Sequence, residues 1–313
     1  YYKDGTLAES SDLQELEVQV LSTDKLQVNS DLINTTDKYE GFAFEKSEPA
    51  QIPTEVDREN VEINIYYATD EIDKGNPNTP GSDNIPDKYQ AKVIYKIEHG
   101  TWDGNTDKAP KAYVYTWGEQ DSNGNWSNGE INNIDWRTDI PTGMKGDTGY
   151  SEAKEWDPEI TGTTALRAGE TVEFVYSYGP NVQTVTVNYV DEAGNVLKDP
   201  HTENVNYDDP YDVSDKIDAS IDAENPDGTK QHYILDSDSI NGVTAGTVKG
   251  DVVVTVTYAA DNIGEGEDPD QPDNIPDKYQ IRISFAVSNG TWVAGSVTSR
   301  VLTLKGADEN WDV

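Results

Sequence analysis

The run Asp-Asn-Ile-Pro-Asp-Lys-Tyr-Gln stands twice in this chain, at 83–90 and again at 273–280. An unbroken eight-residue identity at an offset of 190 means that the fold is assembled from duplicated units. The likeness continues beyond the run. Between 83–102 and 273–292, 11 of 20 positions are identical, and several others exchange like for like (Lys92/Arg282, Val93/Ile283, Tyr95/Phe285, Ile97/Val287). Further on, Thr116 aligns with Thr303, Trp117 with Leu304 and Trp126 with Trp311. The first copy then runs through 140–150 and Trp156 to a strand-like stretch at 171–178, whereas the second reaches Val313 after about forty residues. A unit that short lacks the surface to bury a core of its own. The expectation is a piece of a longer repeat array.

Two other units flank the copies. Residues 182–197 read as an alternating strand, an Asp-Glu-Ala-Gly-Asn turn and the start of a second strand, and 251–258 is a β-branched run that closes the unit. The N-terminal stretch has the same outline: a strand end and turn at 1–5, a closing run at 61–67, then Ala-Thr-Asp where the later unit has Ala-Ala-Asp. The organisation expected is therefore 1–71, a linker at 72–82, the first copy at 83–180, a unit at 181–260, a linker at 261–272, and the second copy at 273–313. Both linkers are rich in Pro and Gly, and 261–272 also in acid, which predicts semi-rigid spacers extended by like charge. The fold class expected is mostly β with short helices, its modules strung into an extended array.

With 23 basic and 60 acidic residues the net charge is −37, which sets the chain against phosphate backbones and anionic membrane surfaces. That balance also predicts a soluble monomer. No apolar run approaches the ~20 residues of a membrane helix, and there is no cysteine for disulfides, thiol chemistry or cysteine-based zinc sites. Seven Trp, 18 Tyr and four Phe are too many aromatics for a solvating acidic tail. Several small folded cores are the better account.

These residues carry a family resemblance. The unit at 181–260, with Val-Thr-Val-Asn-Tyr-Val-Asp-Glu-Ala-Gly-Asn and the closing Val-Thr-Val-Thr-Tyr, resembles a mucin-binding-protein (MucBP) repeat, and 1–71 resembles a divergent relative. The 83–180 module, with its octapeptide, Gly-Thr-Trp and Ile-Pro-Thr-Gly-Met, is similar to repeats in cell-wall-anchored surface proteins of Gram-positive gut bacteria. The resemblance implies β-grasp-like (ubiquitin-like) modules, a surface-exposed stalk, and adhesion to host mucus or other glycoproteins. A Leu-Pro-x-Thr-Gly sorting signal does not occur in these residues, so an extracellular, wall-attached location is expected of the parent protein.

Little in the sequence points to catalysis. Sixty acids make chance carboxylate pairs inevitable, no Gly-x-Ser-x-Gly elbow occurs, and His99, His201 and His232 lie far apart. No enzyme and no cofactor is expected. Asp121–Asn125 with Glu130 loosely resembles a calcium loop, but Trp126 and Asn132 stand where glycine and glutamate are needed. A Gly/Asn hairpin turn is the simpler reading there, and equally at Asp191–Asn195. His99, exchanged for Asn289, reads as a turn residue. Lys88 and Lys278 raise the possibility of an intramolecular isopeptide bond, without a rule to name partners. Trp102, Trp126, Trp292 and Trp311 recur between the copies and read as core, as does Trp117. Trp136, among polar neighbours and without a partner in the second copy, is the exposed aromatic expected to bind ligand.

Three roles compete. One is adhesion to host mucin or another mucus glycoprotein; another is capture of secreted immunoglobulin; the third is a passive stalk projecting a binding domain elsewhere. Recognition of an acidic mucus layer by so acidic a chain must be short-ranged, and should hold or strengthen as salt rises.

Overall fold

The structure is a computed structural model. It describes residues 1–313 except 9–24, 30–32, 37, 58–60, 105, 130–133, 225–227, 265–269 and 305–313. Strand makes up 46% of the chain and no helix among the described residues reaches seven residues, so the class is mostly β. Among the described residues no helix is long and apolar enough to cross a membrane. The chain divides into two compact units, 1–179 and 180–313.

The first unit begins with β1 (Tyr2–Lys3), β2 (Thr6–Leu7), β3 (Leu26–Gln27), β4 (Phe42–Glu48), β5 (Glu55–Val56) and β6 (Asn64–Thr69). Four of these form a sheet in the order β2-β1-β6-β4, with β1 parallel to β6. Tyr67, fully buried, meets Tyr39 edge-on at 5.2 Å and Phe44 at 6.3 Å.

The rest of that unit carries β7 (Gln90–Glu98), β8 (Gly100–Thr101), β9 (Lys111–Thr116), β10 (Glu119–Gln120), β11 (Trp126–Ser127), β12 (Lys145–Gly146), β13 (Tyr150–Ala153) and β14 (Thr171–Pro180). Its main sheet runs β13-β14-β7-β9, and β14 is parallel to β7 with Val172 opposite Val93 and Phe174 opposite Tyr95. The alternation of Val93, Tyr95 and Ile97 puts these side chains on one face, where Trp102, Trp117, Trp136 and Phe174 close over them. The closing strand read at 171–178 is therefore the central partner of β7, extended to ten residues as β14.

The second unit carries β15 (Val182–Asp191), β16 (Val196–Asn206), β17 (Pro210–Asp212), β18 (Ser220–Glu224), β19 (Lys230–Asn241), β20 (Ala245–Thr247) and β21 (Val252–Ala260). Five of them order as β16-β15-β21-β19-β18, with β15 parallel to β21 over seven residue pairs. Val185, Val187, Val254, Val256 and Tyr258 are buried beneath Val213 and Val248. The second copy contributes β22 (Gln280–Ser284) and β23 (Ser299–Thr303), with Gln280 opposite Thr303 as Gln90 is opposite Thr116. Leu304 N–H donates to the Tyr279 carbonyl just as Trp117 N–H donates to that of Tyr89. The alignment of the two copies thus holds at the level of individual hydrogen bonds.

All three larger sheets share one plan: the first strand lies parallel to the last, and the second strand pairs with the first on its other side. β22 pairs only with β23 among the described residues.

Three expectations need correction. Trp136 was expected to be exposed, yet it is 2% exposed and stacks on Phe174 at 5.7 Å. It opens a 3-10 turn, Trp136–Asp139, that directs the ring inward while its polar neighbours face out. Trp292, expected in a core, is 45% exposed, because among the described residues no last strand pairs with β22 to carry a covering face. Trp311 lies outside the described residues. The segment 72–82, expected to be extended by charge repulsion, folds back on itself: Ile72 bridges Pro80, and the carboxylate of Asp73 accepts the N–H of Gly75 and Asn76. The segment holds one acid, Asp73, beside Lys74, so there is no run of like charge to extend it, and that carboxylate caps the turn instead.

Candidate functional site

A concavity in the second unit is made by an irregularity in β16. Val187 lies opposite His201 and Tyr189 opposite Lys198, so Asp199 and Pro200 together face the single residue Asn188. Proline has no N–H for the ladder, and a bulge is where a strand tolerates it. The bulge turns Lys198 and His201 toward the 3-10 turn Ser214–Lys216. That turn is fixed from both sides. Asp212 accepts the N–H of Ser214 at 2.9 Å, and the Tyr189 hydroxyl donates to the Lys216 carbonyl at 2.8 Å. The Tyr258 hydroxyl donates to the Asp218 carbonyl at 2.9 Å. Two phenols rooted in the sheet thus hold the loop that forms the opposite wall.

Between these walls lies an open groove of about 570 Å³, lined by Tyr189, Lys198, Asp199, Pro200, His201, Asp215, Lys216 and Asp218. Lys198 sits over the Tyr189 ring, 3.9 Å from its centroid, and pairs with Asp218. Lys216 pairs with Asp215 at 2.6 Å, which holds its ammonium above the usual lysine range. Burial pushes the Tyr189 phenol up, so it serves as a neutral donor. His201 Nε2 is buried without a hydrogen bond, and the nearest Glu203 carboxylate oxygen is 3.5 Å away. Two ammonium groups against three carboxylates make a near-neutral, donor-rich groove on a strongly acidic chain. Such a surface suits a polyhydroxylated ligand better than a bulk counter-ion.

A smaller cleft of about 220 Å³ in the first unit is lined by Thr35, Thr36, Phe44, Asn84, Gln120, Asn123 and Gly124, all uncharged. The sequence flagged neither concavity. The bulge could have been suspected from a proline inside an otherwise strand-like run, Leu197–Val205.

The residues singled out by sequence are dispersed. Trp136 belongs to the first unit's core and offers no free face, so the structure does not bring it into a site. Asp121 and Asp191 head matching hairpin turns. In each, one carboxylate oxygen accepts two backbone N–H groups (Asn123 and Asn125; Ala193 and Asn195), the other accepts the asparagine amide, and glycine follows at φ +85 or +86. The turn reading of both segments holds; Glu130 and Asn132 lie outside the described residues. Among the described residues no group of three His, Asp or Glu is placed to hold a metal. His99 and Asn289 both take left-handed backbone, φ +53 and +58, as turn residues. Lys88 pairs with Glu45, and Lys278 lies 2.5 Å from Asp236 and 2.9 Å from Glu192. Burial works against the Lys278 charge, yet the two carboxylates hold it above the ordinary range. An amide bond needs a neutral amine, and this environment favours the ion pair.

Residues 184–259, the sheet that carries the groove, match the MucBP domain family. The muramidase-released protein of Streptococcus suis is 33% identical over 129 residues, 38% of this chain and 10% of that protein. The chain therefore spans about a tenth of the length of this curated relative. Among solved structures, domains 3–4 of the Streptococcal High Identity Repeats in Tandem from a cell surface protein align over 54% of this chain and 98% of theirs. The identity is 14% and the TM-score 0.24. The crystal structure of Mub-RV aligns over 55% of this chain and 99% of its own, at 15% identity and a TM-score of 0.16.

Proposed function

We propose that this chain is part of an extracellular bacterial adhesin, attached to the cell wall in its parent protein, and that the 181–260 module binds host mucin or another glycoprotein without catalysis. The observation that supports the reading most is the coincidence of the MucBP match with the bulge-built groove on the same sheet. A β-grasp-like module completes the proposal: a central parallel pair of first and last strands, each with a hairpin partner, is that arrangement with the helix reduced to short turns. Modules 83–180 and 273–313 are then copies of a surface repeat that accompanies the binding module.

Recognition would run through the Lys198 and Lys216 ammonium groups and the carboxylates of Asp199 and Asp215, donating to and accepting from sugar hydroxyls. The test is binding of the chain to immobilised mucin before and after glycosidase treatment. Lys198→Ala with Lys216→Ala should weaken binding about tenfold, which corresponds to ~1.4 kcal/mol. Because the lining charges nearly cancel, binding should hold or strengthen from low to physiological salt. Binding that ignores both lysines moves recognition elsewhere on the chain. Retention of immunoglobulin, with mucin passed over, would replace the ligand class, and no retained ligand would leave a stalk.

A further inference from the structure

The octapeptide that opens both copies makes the same bonds twice, each time to a different preceding module. At the first occurrence, Asp70, 1% exposed and just past β6, accepts the N–H of Asp83 at 3.2 Å and of Asn84 at 2.8 Å. Asp87 returns the contact by accepting the N–H groups of Glu71 and Ile72 at 3.1 and 3.0 Å. Lys88 pairs with Glu45 of β4, and the Tyr89 hydroxyl donates to the same carboxylate at 3.3 Å.

At the second occurrence, Asp261 (0% exposed, just past β21) accepts the N–H of Asp273 at 3.1 Å and of Asn274 at 2.9 Å. Asp277 accepts the N–H groups of Asn262 and Ile263 at 2.8 and 3.0 Å. Lys278 pairs with Asp236 of β19, and the Tyr279 hydroxyl reaches that carboxylate at 3.5 Å. Each copy also braces itself internally. The first aspartate caps Ile85 or Ile275, and Gln90 or Gln280 donates to it at 2.8 Å. The asparagine takes φ +63 or +65, and the proline carbonyl accepts the tyrosine N–H at 2.9 Å.

The receiving sides share a pattern. Tyr67-Ala-Thr-Asp70 and Tyr258-Ala-Ala-Asp261 end the last strands, and an acid stands on the strand paired with each, Glu45 on β4 and Asp236 on β19. The intervening segments, 71–82 and 262–272, differ in sequence and length. Neither concavity described above needs the octapeptide's aspartates.

We propose that Asp-Asn-Ile-Pro-Asp-Lys-Tyr-Gln is a joint code: it locks the module it opens onto any preceding module whose last strand ends Tyr-Ala-x-Asp, so that the two move as one body.

The chain has no cysteine, so introduced pairs carry spin labels alone. Labels at Thr54→Cys and Glu155→Cys report across the first joint, and labels at Asn128→Cys and Glu155→Cys report within the following module. Pulsed dipolar spectroscopy on the full chain should give one narrow distance for the first pair. In Asp70→Ala with Asp87→Ala that narrow peak should be lost while the within-module distance stays. A broad distribution in the parent chain, or a narrow peak that survives the double substitution, overturns the proposal. Should the double substitution also disturb the within-module distance, Asp87→Asn alone is read by the same two labels. Broadening then supports the joint, and an unchanged peak overturns it.

Discussion

Single residues explain much of what is local here. The Asp-Glu-Ala-Gly-Asn turn was legible because a short acid that caps its own loop, followed by glycine at positive φ, is a chemical requirement of the tight hairpin. Burial opposes ionisation of Asp191, but Asn195 and the loop N–H groups win, and its carboxyl lies below the ordinary range. Its contribution is therefore present above the usual aspartate range and is lost as pH falls through the lowered value. Asp191→Ala should cost on the order of 1 kcal/mol in a denaturant titration. Trp136 shows the opposite limit. Its neighbours Asn133, Asp135 and Arg137 suggest solvent, and only the partner Phe174, 38 positions on, reveals an interior ring. Trp136→Ala should destabilise the first unit by roughly 3–5 kcal/mol, seen as a lowered melting transition.

Among elements, the β-branched alternations at 171–178, 182–191 and 251–258 were readable because one face of each strand must be apolar. Their pairing was not: that the first strand lies beside the last depends on contacts as far apart in sequence as Tyr2 and Tyr66, Val185 and Val252, or Lys92 and Thr171. The acids beyond the last strands were also opaque, since nothing local separates Asp70 or Asp261 from the 58 other carboxylates. Burial raises Asp70, Asp87 and Asp261 above the usual aspartate range, against the pull of the N–H groups they accept. A raised acid opposes folding when ionised, and that penalty is relieved as pH falls through its raised value. Stability should accordingly be held or gain on going from neutral pH to just above the ordinary carboxylate range, before turn acids such as Asp191 protonate. Asp70→Asn should flatten that part of the melting temperature against pH; an unaltered profile would remove Asp70 from the account.

At the scale of the molecule, a charge of −37 sets the conditions under which every module works. Exposed ion pairs such as Lys46–Glu48 and Lys96–Glu173 are screened by water and contribute too little to offset repulsion among the surplus acids. Salt should therefore stabilise the chain. Raising it from ~0.01 M to ~1 M shortens the screening length from about 30 Å to about 3 Å, and the melting temperature should climb with it. A fall would show that attraction between surface charges dominates. The parallel pairing of first and last strands carries a different consequence, for a protein pulled at both ends. Two parallel neighbours begin at the same end of a sheet, so the chain arrives at one end and departs from the other. Tension applied across the chain then loads the β15–β21 ladder along its length, and its rungs must fail together. An antiparallel hairpin pulled at its open end would instead unzip rung by rung. In single-molecule stretching the sheets built on β1–β6, β7–β14 and β15–β21 should each rupture in one abrupt high-force event, and the β22–β23 hairpin should give way without one.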